Sequence, residues 1–218
     1  MQTLKAAIAD AGRISLGNGK MPGSTFALSA TKCKTGGKLA KVKDSTCSRC
    51  YALKLEKLRP SVHQGWLANY EKATTLIAKN PEQWAKAAAF QILRAYEKSG
   101  ESFHRWFDSG DLQSVEMLEA IAQAARLTPD IKHWVPTRES AIVKAWRKAY
   151  TCPANLIIRE SATMIGDKPR KAEFTSTVHR KNEKPAGHAC PASTQGNQCG
   201  ACRACWSESV PNISYPLH

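Results

Sequence analysis

Along this chain the rhythm of apolar positions switches between helical and strand-like spacing. From residue 51 to residue 79, Leu53, Leu58, Trp66, Leu67 and Tyr70 recur at helical intervals, and Pro60 interrupts them; this predicts helix with a break at the proline. A second helix begins sharply. Asn80 suits the N-cap, Pro81 the first turn and Gln83 the third helical position. Trp84, Ala87, Ala88, Ile92 and Ala95 then share one face, and Ser99-Gly100 ends the run.

Downstream the spacing shortens. Residues 103–107 are aromatic and strand-like, and Asp108-Ser109-Gly110-Asp111 reads as a turn. Ser114 caps a helix whose stripe is Val115, Leu118, Ile121, Ala122 and Ala125. After Thr128-Pro129 the unit repeats: strand 131–135, turn Pro136-Thr137, then helix 138–150 with Ile142 and Trp146 inward. Residues 155–158 and 173–178 are further strands, and residues 25–28 an early one. The segment before residue 33 is otherwise rich in Gly, Ser and Lys, and residues 33–50 form a polar, glycine-containing loop.

Strand, turn and helix in alternation predict the α/β class, with right-handed crossovers and a parallel sheet. We expect four or five strands. A closed eight-stranded barrel takes about 250 residues, so the expected form is a partial (β/α) barrel-like sheet with flanking helices and a cysteine-rich C-terminal tail. One domain spans 1–218: an N-terminal segment with its cysteine loop (1–50), a helical and βα-repeat core (51–180) and the tail (181–218). Chemistry in such folds gathers at the carboxyl ends of the strands. Those ends carry Asp108, Ser109 and Asp111, then Thr137, Arg138 and Glu139, then Arg159, Glu160 and Ser161.

Seven of the eight cysteines fall in two groups, and these change the picture. Cys199, Cys202 and Cys205 form a C-x2-C-x2-C run with a remote Cys190-Pro191, the spacing bacterial ferredoxins use for iron–sulfur ligation. Zinc is the alternative metal, but zinc sites favour separated C-x2-C pairs. Cys33, Cys47 and Cys50 supply three thiols to a second site. Three ligands leave one iron of a [4Fe-4S] cluster open to substrate. Cys152 and His188 are candidates for a fourth ligand; Cys152 also suits a buried apolar role, and His188 a hydrogen bond to the other group. One cluster or two can be drawn from these residues.

No stretch approaches the ~20 apolar residues of a membrane span, and the first residues do not read as a signal peptide. The expected location is cytoplasmic, where thiols stay reduced and eight cysteines point to metal rather than disulfides. The net charge of +14 is densest at residues 32–43 and 168–184. It either balances bound thiolates or serves a nucleic-acid partner. In the acidic turn, Asp108 and Asp111 can move protons or hold an ammonium group, with Gly110 allowing close backbone approach; an ordinary strand-to-helix turn uses the same residues. Arg138 and Glu160 complete the candidate catalytic set. His104 and His133, beside Trp106 and Trp134, read as core histidines.

The Cys47 to Ala52 segment (C-x2-C-Tyr-Ala), Ser109 to Asp111, the Trp-x-x-Thr-Arg strand end (Trp134 to Arg138) and the terminal C-P…C-x2-C-x2-C-Trp (Cys190 to Trp206) together resemble the phage gene product eighty-eight family of iron–sulfur-type proteins. That resemblance implies a phage protein in the host cytoplasm. More distantly the layout resembles radical S-adenosylmethionine enzymes. This likeness implies that Cys33, Cys47 and Cys50 hold a catalytic cluster, that Ser109, Gly110 and Asp111 bind S-adenosylmethionine, and that Cys190, Cys199, Cys202 and Cys205 hold an auxiliary cluster. The first cysteine gap here is thirteen residues, against three in the radical family. The expectation is a radical-type iron–sulfur enzyme acting on a small-molecule substrate. The rivals are a hydrolase or hydro-lyase using its cluster as a Lewis acid, and a cluster- or zinc-stabilised module that binds nucleic acid or host protein.

Overall fold

The computed structural model describes residues 2–17 and 19–217. Seven parallel strands form one open sheet: β1 (Ser24–Phe26), β2 (Phe103–Trp106), β3 (Lys132–Thr137), β4 (Leu156–Ser161), β5 (Thr175–His179), β6 (His188–Ala189) and β7 (Asn212–Pro216). Their order is β1-β2-β3-β4-β5-β7-β6. The first five thus follow chain order, as in a partial barrel; right-handed crossovers then put the helices on one face.

Seven helices accompany the sheet among the described residues: α1 (Leu4–Ala11), α2 (Thr35–Leu39), α3 (Tyr51–Leu58), α4 (Pro60–Lys79), α5 (Pro81–Ser99), α6 (Val115–Arg126) and α7 (Ser140–Ala149). The caps read from the sequence are in place. Asn80 Oδ1 accepts from Gln83 N–H at 3.0 Å, and Ser114 Oγ from Met117 N–H at 3.1 Å. Pro60 separates α3 from α4.

Alternation along each strand sorts side chains to two faces. Phe26, Trp106, Val135, Leu156 and Ile158 meet α5, α6 and α7 in the main core. His104 and His133 lie on this side, fully buried. His133 Nδ1 accepts from Trp106 Nε1 at 3.2 Å, and its Nε2 stands 2.8 Å from Thr128 Oγ1. Burial drives the His133 pKa down to about 3 and that of His104 well below its ordinary value.

The opposite face carries Phe103, Arg105, Trp134 and Arg159, and the tail covers it. Trp206 packs edge-on against Phe103 and Trp134, each at 5.3 Å, and donates to the His104 carbonyl at 2.9 Å. Arg159, fully buried, donates to the main-chain carbonyls of Cys205, Ala204, Ser207 and Pro211. The tail is not an appendage. It supplies β6 and β7, and β7 lies between β5 and β6, paired with both.

Four elements are absent from the sequence reading, and Pro136-Thr137, expected as a turn, forms the end of β3. The amino-terminal segment contains α1, capped by Thr3 Oγ1 accepting from Ala6 N–H at 3.2 Å. The cysteine loop contains α2. The strands among the described residues number seven rather than four or five, because β6 and β7 come from the tail.

Candidate functional site

The segment from Cys33 to Cys50 is laid across the carboxyl ends of the central strands by hydrogen bonds to each in turn. Lys34 Nζ donates to the Gln113 carbonyl at 2.6 Å, after β2. Thr35 donates from N–H and Oγ1 to the two oxygens of Glu139, at 2.7 and 2.8 Å, after β3. Thr46 N–H donates to the Thr163 carbonyl at 2.9 Å, and Ser45 bridges Met164, after β4. From below, buried Glu56 of α3 accepts from Ser29 Oγ and Ala30 N–H, both at 2.6 Å, and His63 Nδ1 stands 2.5 Å away. Carboxylates at both ends therefore fix where the thiols stand.

Cys33, Cys47 and Cys50 line one cavity of about 240 Å³, together with Asp108, Ser109, Gly110, Asp111, Arg105 and Arg138. The trio thus shares one chamber with the acidic turn that the sequence placed at a strand end. Burial pushes the Cys33 thiol up to about 12, and raises Cys47 against the opposing charge of Arg138. Gly36, on α2, keeps the space between the thiols clear. A methyl group there would stand 3.6 Å from Cys47 Sγ, 3.7 Å from Cys33 Sγ and 3.3 Å from Cys33 Cβ.

The two carboxylates of the turn differ. Asp111 is buried, accepting from Leu112 N–H at 2.8 Å, Thr137 Oγ1 at 2.6 Å and Arg138 N–H at 2.9 Å. These bonds tie β2's loop to the end of β3; burial nonetheless lifts its pKa to about 6. Asp108 keeps a buried Oδ1 without a protein partner; burial raises its pKa, opposed by Arg105. Ser109 Oγ is likewise buried and unpartnered. Asp108 also lines a second cavity of about 540 Å³, with Arg13, Thr25, Trp66 and Asn69. Gly110 has φ 84°, and a Cβ there would lie 2.6 Å from Leu28 Cβ and 2.9 Å from the Leu28 carbonyl oxygen. Its glycine is required by close packing on the chain after β1.

Arg138 lines the cavity, and its Nε donates to Thr46 Oγ1 at 3.1 Å. Glu160 is half-buried on the strand face shared with Leu156 and Ile158, away from the cavity lining. Arg159 belongs to the tail contact described above. Sequence reading missed Arg105. Its position between inward-facing His104 and Trp106 marks it for the other face. There its guanidinium lies 4.7 Å from the Trp134 ring, and its charge favours ionisation of Asp108 in the cavity and of Cys199 and Cys205 in the tail.

The tail thiols form a second group. Cys190, Cys199, Cys202 and Cys205 influence one another electrostatically. Cys190 N–H is anchored to the Ser214 carbonyl of β7 at 2.9 Å, and Cys199 N–H to the Lys20 carbonyl at 2.7 Å. Cys205 Sγ lies 3.4 Å from Tyr215 Oη, and Cys202 Sγ 3.6 Å from His188 Nε2. His188 therefore belongs to this group. Burial pushes Cys205 up to about 12. Cys152 is elsewhere: it packs on the main core before β4 and approaches the Leu156 carbonyl at 3.3 Å. Among the described residues all eight cysteines are free thiols, and no three His, Cys, Asp or Glu side chains are grouped closely enough to hold a metal ion.

This architecture is that of an α/β protein whose parallel, barrel-like sheet carries a thiol-lined cavity at its strand ends. Residues 2–208 match the family model described as gene product 88, and the chain belongs to that family. No curated protein and no solved structure matches it.

Proposed function

We propose that the chain is an iron–sulfur enzyme of radical type, with its reacting centre in the cavity of Cys33, Cys47 and Cys50. The single observation that carries this is a cavity walled by three thiols, with the gap between Cys33 and Cys47 left open by Gly36. Three thiols on one cavity wall are the donor type an iron–sulfur group takes, although they stand too far apart here to grip a single metal ion. These three residues would hold a [4Fe-4S] cluster with one iron open, and Cys190, Cys199, Cys202 and Cys205 would hold a second, closed one. When bound, a cluster with an open iron supplies either one electron to a ligand or a Lewis acid.

The protein's own residues then have separable tasks. Arg138 sets positive charge against the thiolates of Cys33 and Cys47. Asp111 and Glu139 hold the surrounding loops in register. Asp108, with an oxygen to spare, receives the ammonium group of a ligand such as S-adenosylmethionine, while Ser109 offers its hydroxyl. Eight free thiols suit the reducing cytoplasm of a host cell. Asp108 also supports a second reading: a buried carboxyl with a raised pKa is a fitting acid–base group for a hydrolase or hydro-lyase.

Anaerobic purification with iron and sulfide analysis of single-cysteine variants tests the proposal. A brown protein absorbing near ~400 nm is expected. A colourless protein holding stoichiometric zinc would overturn both enzyme readings. Reductive cleavage of S-adenosylmethionine by the loaded protein separates the radical reading from the Lewis-acid one.

A further inference from the structure

Half of the chain's net charge of +14 sits in residues 32–59, which carry nine cations against two carboxylates. All nine are exposed: Lys32, Lys34, Lys38, Lys41, Lys43, Arg49, Lys54, Lys57 and Arg59. One of the two carboxylates, Glu56, is buried and saturated by Ser29, Ala30 and His63. Among the described residues, none of the nine cations is engaged in an ion pair. This is the same segment that crosses the strand ends and lines the thiol cavity. The charge continues inward, since Arg49, Arg105 and Arg138 all line that cavity. Beside them Tyr51 is 59% exposed, with its hydroxyl donating to the Asp108 carbonyl.

We infer that this segment is a single-stranded nucleic-acid interface, and that the substrate presented to the cavity is a nucleotide within a strand. Unpaired cations at the rim suit a phosphate backbone, and an exposed aromatic ring at the mouth suits stacking of an unpaired base. The guanidinium groups inside the cavity distinguish this partner from a lipid surface. A single nucleotide can follow the charge inward, whereas a bilayer remains at the rim. The interface stands without the cluster. Only the delivery of a nucleotide to the reacting centre rests on the function proposed above.

Fluorescence anisotropy on the anaerobically purified full chain, with labelled ~20-nucleotide DNA and RNA strands, tests the interface. Iron and sulfide are measured on the same preparations, so failure of the cluster reading is scored separately. Single strands should bind with strong salt dependence. In K38E/K41E/K43E the slope of log affinity against log salt should become shallower by about 2, at about 0.7 per lost phosphate contact. Affinity should fall by roughly tenfold or more. The matched-charge control K98E/K144E/K148E, on exposed positions of α5 and α7, should stay within about threefold of the parent. Tyr51→Ala should weaken binding roughly tenfold while Tyr51→Phe does not, which reads stacking independently of charge. If the reversed-charge triple fails to fold, K38Q/K41Q/K43Q serves in its place. Equal losses in the patch and control triples would overturn the inference. So would unchanged binding in the patch triple, or capture by phosphatidylglycerol vesicles without oligonucleotide binding.

Discussion

Gly36→Ala isolates the space between two thiols from everything else the α2 segment does. Gly36 is buried with no left-handed backbone requirement, so alanine fits its conformation and gains helix propensity of roughly 0.5–1 kcal/mol. The new methyl meets Cys33 Cβ at 3.3 Å, tight by a few tenths of an ångström, and the two sulfurs at ordinary contact distances of 3.6 and 3.7 Å. The metal-free chain should therefore unfold within about 1 kcal/mol of the parent. On the function proposed above the loaded chain should behave differently, because the methyl would intrude on the space between Cys33 and Cys47 assigned to the N-terminal cluster. Iron and sulfide per chain should fall by about half, leaving the tail set loaded. Gly37→Ala is the matched control: it sits in the same helix, and a Cβ there meets nothing within 4 Å. Its propensity gain should be similar and its iron content unchanged. Anaerobic iron and sulfide analysis, with urea unfolding of the metal-free proteins, reads both effects. Full loading of Gly36→Ala would refute the assignment of that space to a cluster.

Three more outcomes follow from other parts of the molecule. Arg159→Met removes the buried donor to four main-chain carbonyls of the tail, one of them fully buried, and should cost about 2–3 kcal/mol, freeing the tail to limited proteolysis while the helix content stays near that of the parent. His104 and His133 are held neutral by burial, with pKa values below those of the unfolded chain, so the unfolded state takes up protons first as pH falls below about 6.5. Stability should thus be complete at pH 7.5 and lower by about 1.4 kcal/mol for each histidine at pH 5.5, measured by urea unfolding; His133→Gln should remove its share of that slope. Cys152→Ala should leave iron content unchanged, since its sulfur belongs to the core before β4 and not to either thiol group.

The strands and helices between residues 80 and 161 were legible because each buries one regular stripe, with caps and prolines at the boundaries. Segment α1 was hidden by its eight-residue length. β6 has two residues, and β7 reads Asn-Ile-Ser-Tyr-Pro, so neither carries an alternating pattern that stands alone; sheet membership comes from pairing with distant strands. At the site, the βα rule put the acidic turn at a strand end, and only the likeness to radical enzymes put the cysteine trio beside it. The roles inside the turn were not readable, because they depend on what faces each atom. Gly110 answers to Leu28, and Asp111 answers to Leu112, Thr137 and Arg138. Arg105 needed the face assignment of its neighbours before its position between the two thiol groups had meaning.

The interior position of β7 also fixes a timetable. β6 pairs with β7, and Cys190 is anchored through Ser214, so during synthesis the tail cysteines emerge before the strand that secures them. Between Cys205 and Pro216 the ribosome takes about a second at ~5–20 residues per second. Until β7 is in place, Cys190 has no Ser214 carbonyl to anchor it and β6 has no strand to pair with. β7 therefore completes both the sheet beyond β5 and the anchorage of Cys190, although it is made after the cysteines it secures.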